Sequence, residues 1–142
     1  MRPDGAGRGR GWELRRPGTL RPDGWLAGTY RDRWVTDARY CCLTGLAQMS
    51  LNWTRLAQAA GEEGLRDNAR AGLACLKSTQ RLDNRDPVAC GGIAGSLPIW
   101  GDYSRFEYPN WASKFFADAL LMDMLDTVVP PVPQVERARA LG

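Results

Sequence analysis

TGLAQMSLNWTRLAQAAGEEGLRDNARAGLACLKSTQR, residues 44–81, decides the fold. Leu46, Met49, Trp53, Leu56 with Ala57, and Ala60 recur at three- and four-residue steps, which puts them on one stripe of a helix. Thr44 is placed to cap that helix, because its hydroxyl can accept a bond from a free first-turn N–H. Gly61 supplies the stop, being able to adopt the left-handed turn that ends many helices. A second helix follows after a very short connection, from Glu62 or Leu65 to Arg81, with a stripe of Leu65, Ala69, Leu73 (or Gly72) and Leu76. Glu62, Glu63 and Asp67 lie in or before its first turn and Lys77 and Arg81 in its last, as the helix dipole favours. Arg66, Arg70 and Gln80 are expected to face solvent. So short a link favours antiparallel packing, and residues 44–81 read as an αα-hairpin.

Downstream lies a long loop, Leu82–Pro109, opened by Gly91, Gly92 and Gly95 and then crowded with Trp100, Asp102, Tyr103, Arg105, Phe106, Glu107 and Tyr108. Long loops rich in aromatic and charged residues are where scaffolds present binding groups. A third helix is predicted from Asn110, as N-cap, to about Val128. Trp111, Phe115, Phe116, Ala119, Leu120, Leu121, Met122, Met124 and Leu125 cover more than one of its faces, which predicts burial on several sides. Pro130, Pro131 and Pro133 stop the helix, and residues 129–142 read as a proline-rich tail.

Upstream, residues 1–24 are rich in Gly, Arg and Pro without periodicity and read as a flexible arm. Residues 25–43 mix aromatics, Arg and Asp without helical spacing and read as an ordered loop. Residues 1–40 hold nine Arg against five acids, whereas the remainder holds ten basic and eleven acidic residues. The basic excess therefore sits in the arm, and the folded part, residues 25–128, is near neutral. RGRG with Trp12 is a weak signal for RNA, and an unstructured lead-in or a piece of a once longer protein is the favoured reading; nucleic acid is not the expected partner. The scarcity of lysine, two of nineteen basic residues, suggests a GC-rich, bacterial coding sequence.

Cys41, Cys42, Cys75 and Cys90 match no CxxC metal pattern, and the chain has no histidine. Free, mostly buried thiols are expected, with no metal and no cofactor. The absence of histidine also excludes Ser-His and Cys-His nucleophile pairs. CGGIAGS, residues 90–96, lacks the GK[ST] ending of a P-loop and follows no strand. No secretory apolar region follows Met1, and no apolar run reaches the roughly 18 residues of a membrane span. No membrane partner and a cytoplasmic location are the default expectations.

A shift of 66 residues aligns two segments. Arg39-Tyr40 falls on Arg105-Phe106, Thr44 on Asn110, Met49 on Phe115 and Leu56 on Met122. The shared pattern is an Arg-aromatic pair, a short gap and a capped helix. It predicts that the first and third helices are equivalent inner helices, each led by a loop, with the second outside, as in αα-hairpin solenoids and toroids.

YCCLTGLAQMSLNWTRL, the helix ending LKSTQ, and GGIAGSLPIWGDYSRFEYPNWASKFFADALL together resemble the closing repeats of an (α/α) toroid. The resemblance is to the six-hairpin-glycosidase-like group of bacterial proteins, spans roughly residues 23–127, and is most specific in GSLPIWGDYSRFEYPNW. It implies an all-α fold, an αα-hairpin (α/α)-toroid-type piece with long loops, and a sugar-binding central cavity lined by loops at one end of the inner helices. The chain carries about one and a half hairpins, so the resemblance also implies a fragment of a six-hairpin enzyme. Terpenoid-cyclase toroids share the architecture, but no DDxxD or DxDD acid motif is present.

Asp102 and Glu107 are the catalytic candidates: carboxylates among aromatics suit glycoside chemistry, since rings stack on sugars and a raised carboxyl pKa permits general acid catalysis. The alternative is structural, with Asp102 closing a turn and Glu107 paired to Arg105 or another arginine. Trp34, Arg39, Tyr40, Trp100, Tyr103, Arg105 and Tyr108 are the candidate substrate-binding residues. Arg39 and Arg105 could grip an anionic group bidentately or tie loops to helix ends. Asp32 and Asp37 bracket Trp34 and are expected to pair with Arg31, Arg33 or Arg39. Gln48, Asn52 and Lys114 lie on inner helices, facing either cavity or solvent. The leading expectation is a carbohydrate-active or carbohydrate-binding protein with a saccharide ligand. The alternatives are a non-catalytic interaction module, docking a protein partner that completes the toroid, or a terpenoid-cyclase-like fragment.

Overall fold

Helix α1, Leu43–Ala60, is the element to which the others attach: α2, Glu63–Thr79, packs along one side of it and α3, Asn110–Val128, along another. The computed structural model describes residues 20–128 apart from Asn84 and Val88. The arm up to residue 19, with RGRG and Trp12, and the tail 129–142 lie outside the described residues. The fold is all-α, with one two-residue antiparallel pair joining the loops.

The α1–α2 hairpin follows the sequence closely. Gly61 takes φ 70°, and its N–H donates to the Ala57 carbonyl at 2.8 Å, so the chain reverses within three residues. Leu65, Ala69, Gly72, Leu73 and Leu76 of α2 bury against Leu46, Ala47, Trp53 and Ala57 of α1. A large aliphatic side chain contributes about 1.5–3 kcal/mol when fully buried, so this seam is a main source of stability. Gly72 sets the spacing: a Cβ there would lie 2.6 Å from Ser50 Oγ. Ser50 and Thr54 are buried polar residues, and each hydroxyl donates to the carbonyl four residues earlier, at 3.0 Å.

Several expectations change. Thr44 does not cap α1. The helix starts a residue earlier, Cys42 is its N-cap and accepts from Gly45 N–H at 3.3 Å, and Thr44 is buried. The cause lies far along the chain: Cys41–Cys42 (β1) pairs antiparallel with Ser96–Leu97 (β2), Cys41 opposite Leu97, which holds the backbone extended up to Cys42. Leu56, assigned to the inner stripe, is exposed, and α1 instead buries Leu43, Ala47 and Ser50. The stripe drifts because the helix is covered on two sides rather than one.

Arg66 and Gln80 do not face solvent freely. Arg66 is only 13 % exposed and joins Asp126 of α3 to Glu63, while Gln80 Nε2 donates to the Gly91 carbonyl at 2.8 Å. α3 itself is not buried on several sides. Ala112, Phe116 and Ala119 face the core, while Trp111, Leu121, Met124, Leu125 and Val128 are exposed. The described chain supplies a neighbour on one side of α3 and none on the other.

Leu20–Gly24, at the end of the sequence-predicted arm, is ordered. Leu20 bridges Leu26, and Gly24, at φ 78°, sits so close to α2 that a Cβ would overlap the Ala71 carbonyl.

Candidate functional site

The two loops that lead into α1 and α3 meet at the β1–β2 pair. Tyr40, immediately before β1, is buried between Gly28 and Gly101: a Cβ at Gly28 would fall 2.3 Å from its ring, and one at Gly101 2.6 Å from its Cβ. Only glycine permits this approach from both sides. Around Ser96 the second loop closes on itself. Ser96 Oγ donates to the Tyr103 carbonyl at 2.6 Å and accepts from Tyr103 N–H at 3.3 Å. Gly95 N–H donates to the Glu107 carbonyl, and Leu43 N–H to the Gly95 carbonyl, each at 3.0 Å, so the loop is fastened to the first turn of α1.

Of the predicted site residues, this junction brings together Tyr40 and Asp102. Burial chiefly, and then the nearby Asp102 charge, raises the Tyr40 phenol above its ordinary range. Asp102 is itself exposed and lies 2.5 Å from Arg105, so the arginine pairs with Asp102 rather than Glu107. Glu107 is exposed and is held through its backbone. Tyr103 Oη accepts from Trp111 Nε1 at 3.0 Å. Trp100, at 61 % exposure, with Phe106, Tyr108 and Trp111, leaves a group of rings open to solvent along this loop and the first residues of α3. Arg39 is exposed, and Trp34 stands in the first loop, edge-on to Tyr30 with ring centroids 6.0 Å apart. Asp37 pairs with Arg31 at 2.6 Å.

The aligned pairs Arg39-Tyr40 and Arg105-Phe106 do not occupy equivalent environments. Tyr40 is the buried pivot of the junction, whereas Phe106 is 66 % exposed and sits at φ 58° in a tight turn. Strand pairing, not the helix-cap alignment, decides which residues of the two loops oppose each other.

A second feature, an open cleft of about 560 Å³, runs between α1 and α3. Gln48, Asn52 and Lys114 line it together with Arg55, Asp118 and Leu125. One end is polar. Lys114 Nζ is 2.6 Å from Asp118 and 4.5 Å from the centre of the Phe115 ring. The other end opens onto the exposed apolar residues of α3, Leu121 and Leu125. The available signal was the width of the apolar pattern in 111–128, which exceeds what a single helical neighbour can cover.

Each acid of the helical part of α3 has a cation on its own chain. Asp118 has Lys114, Asp123 has Arg70 at 3.7 Å, and Asp126 has Arg66 at 2.5 Å. The apolar stripe is therefore bordered by charges already balanced. No described helix is long and apolar enough to cross a membrane, and no group of three or more His, Cys, Asp or Glu among the described residues is arranged to hold a metal ion.

In comparisons with known proteins, no family model, no curated protein and no solved structure matches the chain. Fold and site define the class on their own: an all-α protein, a helical hairpin extended by a third helix whose outer apolar face no described residue covers.

Proposed function

We propose that this protein is a helix-docking interaction module, and that the outer stripe of α3 seats the same stripe of a second copy. The observation that carries this reading is the exposure of Leu121, Met124, Leu125 and Val128, at 59 % to 78 %, on helical spacing in one helix. That spacing is how an amphipathic helix presents anchors to a groove or to another helix. A two-fold partner brings an identical stripe. Because Asp118, Asp123 and Asp126 are balanced within each chain, it also brings no unpaired acid of α3 to the seam.

Covering eight half-exposed side chains, four per copy, is worth roughly 8–12 kcal/mol at about 1–1.5 kcal/mol each. Association costs about 4–15 kcal/mol in lost freedom and ordering. The balance describes a dimer of modest affinity that one charge at the seam abolishes. Sedimentation velocity across a concentration series tests it with the native chain and Leu125→Glu. Faster sedimentation with concentration in the native chain only, with both chains equally helical by circular dichroism, supports the reading. Concentration-independent monomer in both rejects it.

A second reading, carbohydrate binding, draws on the toroid resemblance and on one observation, the open rings of Trp100, Phe106, Tyr108 and Trp111. Rings held on a loop that is pinned at Ser96 and Gly95 suit stacking against the apolar face of a pyranose. Asp102 and Glu107 would then serve as acceptors for sugar hydroxyls or as the catalytic pair. Titration with oligosaccharides and uronates, followed by tryptophan fluorescence, tests this: a saturable change lost in Trp100→Ala supports it, and no change for any sugar removes it.

A further inference from the structure

On the opposite flank of α1, the loop from residue 20 to residue 34 arches over the helix and encloses a hollow of about 250 Å³. We propose that this hollow binds a small, flat, apolar molecule of bicyclic-aromatic size carrying one hydrogen-bond acceptor. The site is separate from the α3 face and stands or falls independently of dimerisation.

The lining sets the chemistry. Leu20, Leu26, Leu46 and Met49 supply aliphatic and thioether surface, and Tyr30 and Trp34 supply rings. Thioethers and ring edges both favour aromatic guests. A dry apolar cavity of about 150 Å³ takes benzene, so one of this size accommodates a second fused ring.

One buried polar group on the lining lacks a partner among the described residues: the Trp53 indole N–H has no acceptor. The half-buried Asn68 amide also lines the hollow. Buried donors are normally satisfied, and an acceptor delivered by a ligand would satisfy one here. The indole N–H can only donate, so an acceptor is the polar feature the guest must carry.

Trp34 forms the outer wall while remaining 57 % exposed. It sits at φ 62°, directly after Arg33 at φ 59°. Two successive side-chain-bearing residues in the left-handed region are costly, and such strain persists where the surroundings impose it, often at ligand clamps. Here the strained turn holds an indole against Tyr30 at the mouth of an apolar hollow. That placement has a purpose if something lies beneath the ring.

Gly45 provides the decisive variant. It lines the hollow from the first turns of α1, and a Cβ there would meet only Cys42, at 3.4 Å from Sγ. Gly45→Leu therefore fills the site while improving helix propensity. The probes are coumarin, a bicyclic with a carbonyl acceptor, and naphthalene, its apolar counterpart, each titrated into the native chain. Readouts are tryptophan fluorescence and the NMR signals of the Trp53 indole N–H and the Asn68 amide.

The expected result is saturable binding of coumarin with movement of at least one of those two signals. Naphthalene should bind at least five-fold more weakly. Gly45→Leu should lose coumarin by ten-fold or more while melting no lower than the native chain. Trp34→Ala, altered at an exposed position, should weaken binding several-fold and keeps the test decisive should Gly45→Leu fold poorly. Absence of saturable binding by both probes, or coumarin affinity unchanged in both variants, overturns the proposal. Equal affinity for the two probes overturns the acceptor assignment.

Discussion

Arg66 Nε on α2 lies 2.5 Å from Asp126 Oδ2 near the end of α3, linking two helices whose residues stand 60 positions apart in sequence. Asp126 is 5 % exposed and also accepts from Gln58 Nε2 of α1 at 3.0 Å, so one carboxylate ties together all three helices.

Removing that charge strands a mostly buried guanidinium. Asp126→Ala is expected to cost about 1–3 kcal/mol, with the lower part of that range favoured because Glu63 remains beside Arg66. Urea unfolding of the variant against the native chain measures it.

The same pair makes stability depend on pH. Hydrogen bonding from Arg66 holds the Asp126 carboxyl below the usual carboxylate range. A carboxyl depressed in the folded state contributes stability that is complete above its unfolded value, about 3.9. That contribution is lost as pH falls from there through the folded value. The native chain should therefore lose more stability than Asp126→Ala between pH 5 and pH 3, a difference readable in paired denaturation curves.

Gly72→Ala tests the α1–α2 contact. In an exposed helix this change gains up to about 1 kcal/mol. Here the new methyl would meet Ser50 Oγ at 2.6 Å and Leu46 Cδ1 at 3.1 Å, so a loss of about 1–3 kcal/mol is expected. Ser50→Gly in the same chain should recover part of the loss, and a double-mutant cycle in denaturant reads the coupling.

Thiol chemistry should separate the four cysteines. Burial pushes the Cys41 thiol up to about 12 and also raises Cys42 and Cys75, whereas Cys90 is exposed. At pH 8 a thiol reagent should modify Cys90 quickly, the half-buried Cys42 more slowly, and the buried Cys41 and Cys75 only as the chain opens. A thiol raised on folding contributes stability below its unfolded value, about 8.5. Stability should therefore decline as pH rises from there toward 12. Rapid reaction of Cys41 in the folded chain would contradict the packing around β1.

The hairpin was legible in the sequence because its determinants are local. Leu65, Ala69, Leu73 and Leu76 recur on a helical period, and Gly61 marks the reversal. The β1–β2 pair was not legible, since two residues on each side carry no periodicity, and with it went the true cap, Cys42. Arg66 looked like a surface residue because its partner arrives from α3. The apolar width of 111–128 was read as burial, yet sequence records how hydrophobic a helix is and not what covers it. For the site, Tyr40 was found as a residue but not as a pivot, because its pocket is made by Gly28 and Gly101 from separate loops.

The central claim, that the outer stripe of α3 pairs with itself, is tested most directly by the mass of the native chain in solution. Light scattering on the eluting protein at rising concentration should show the mass climbing from the 15.7 kDa of one chain toward twice that value. A mass that stays at one chain throughout, with Leu121, Met124 and Leu125 still exposed, would contradict it.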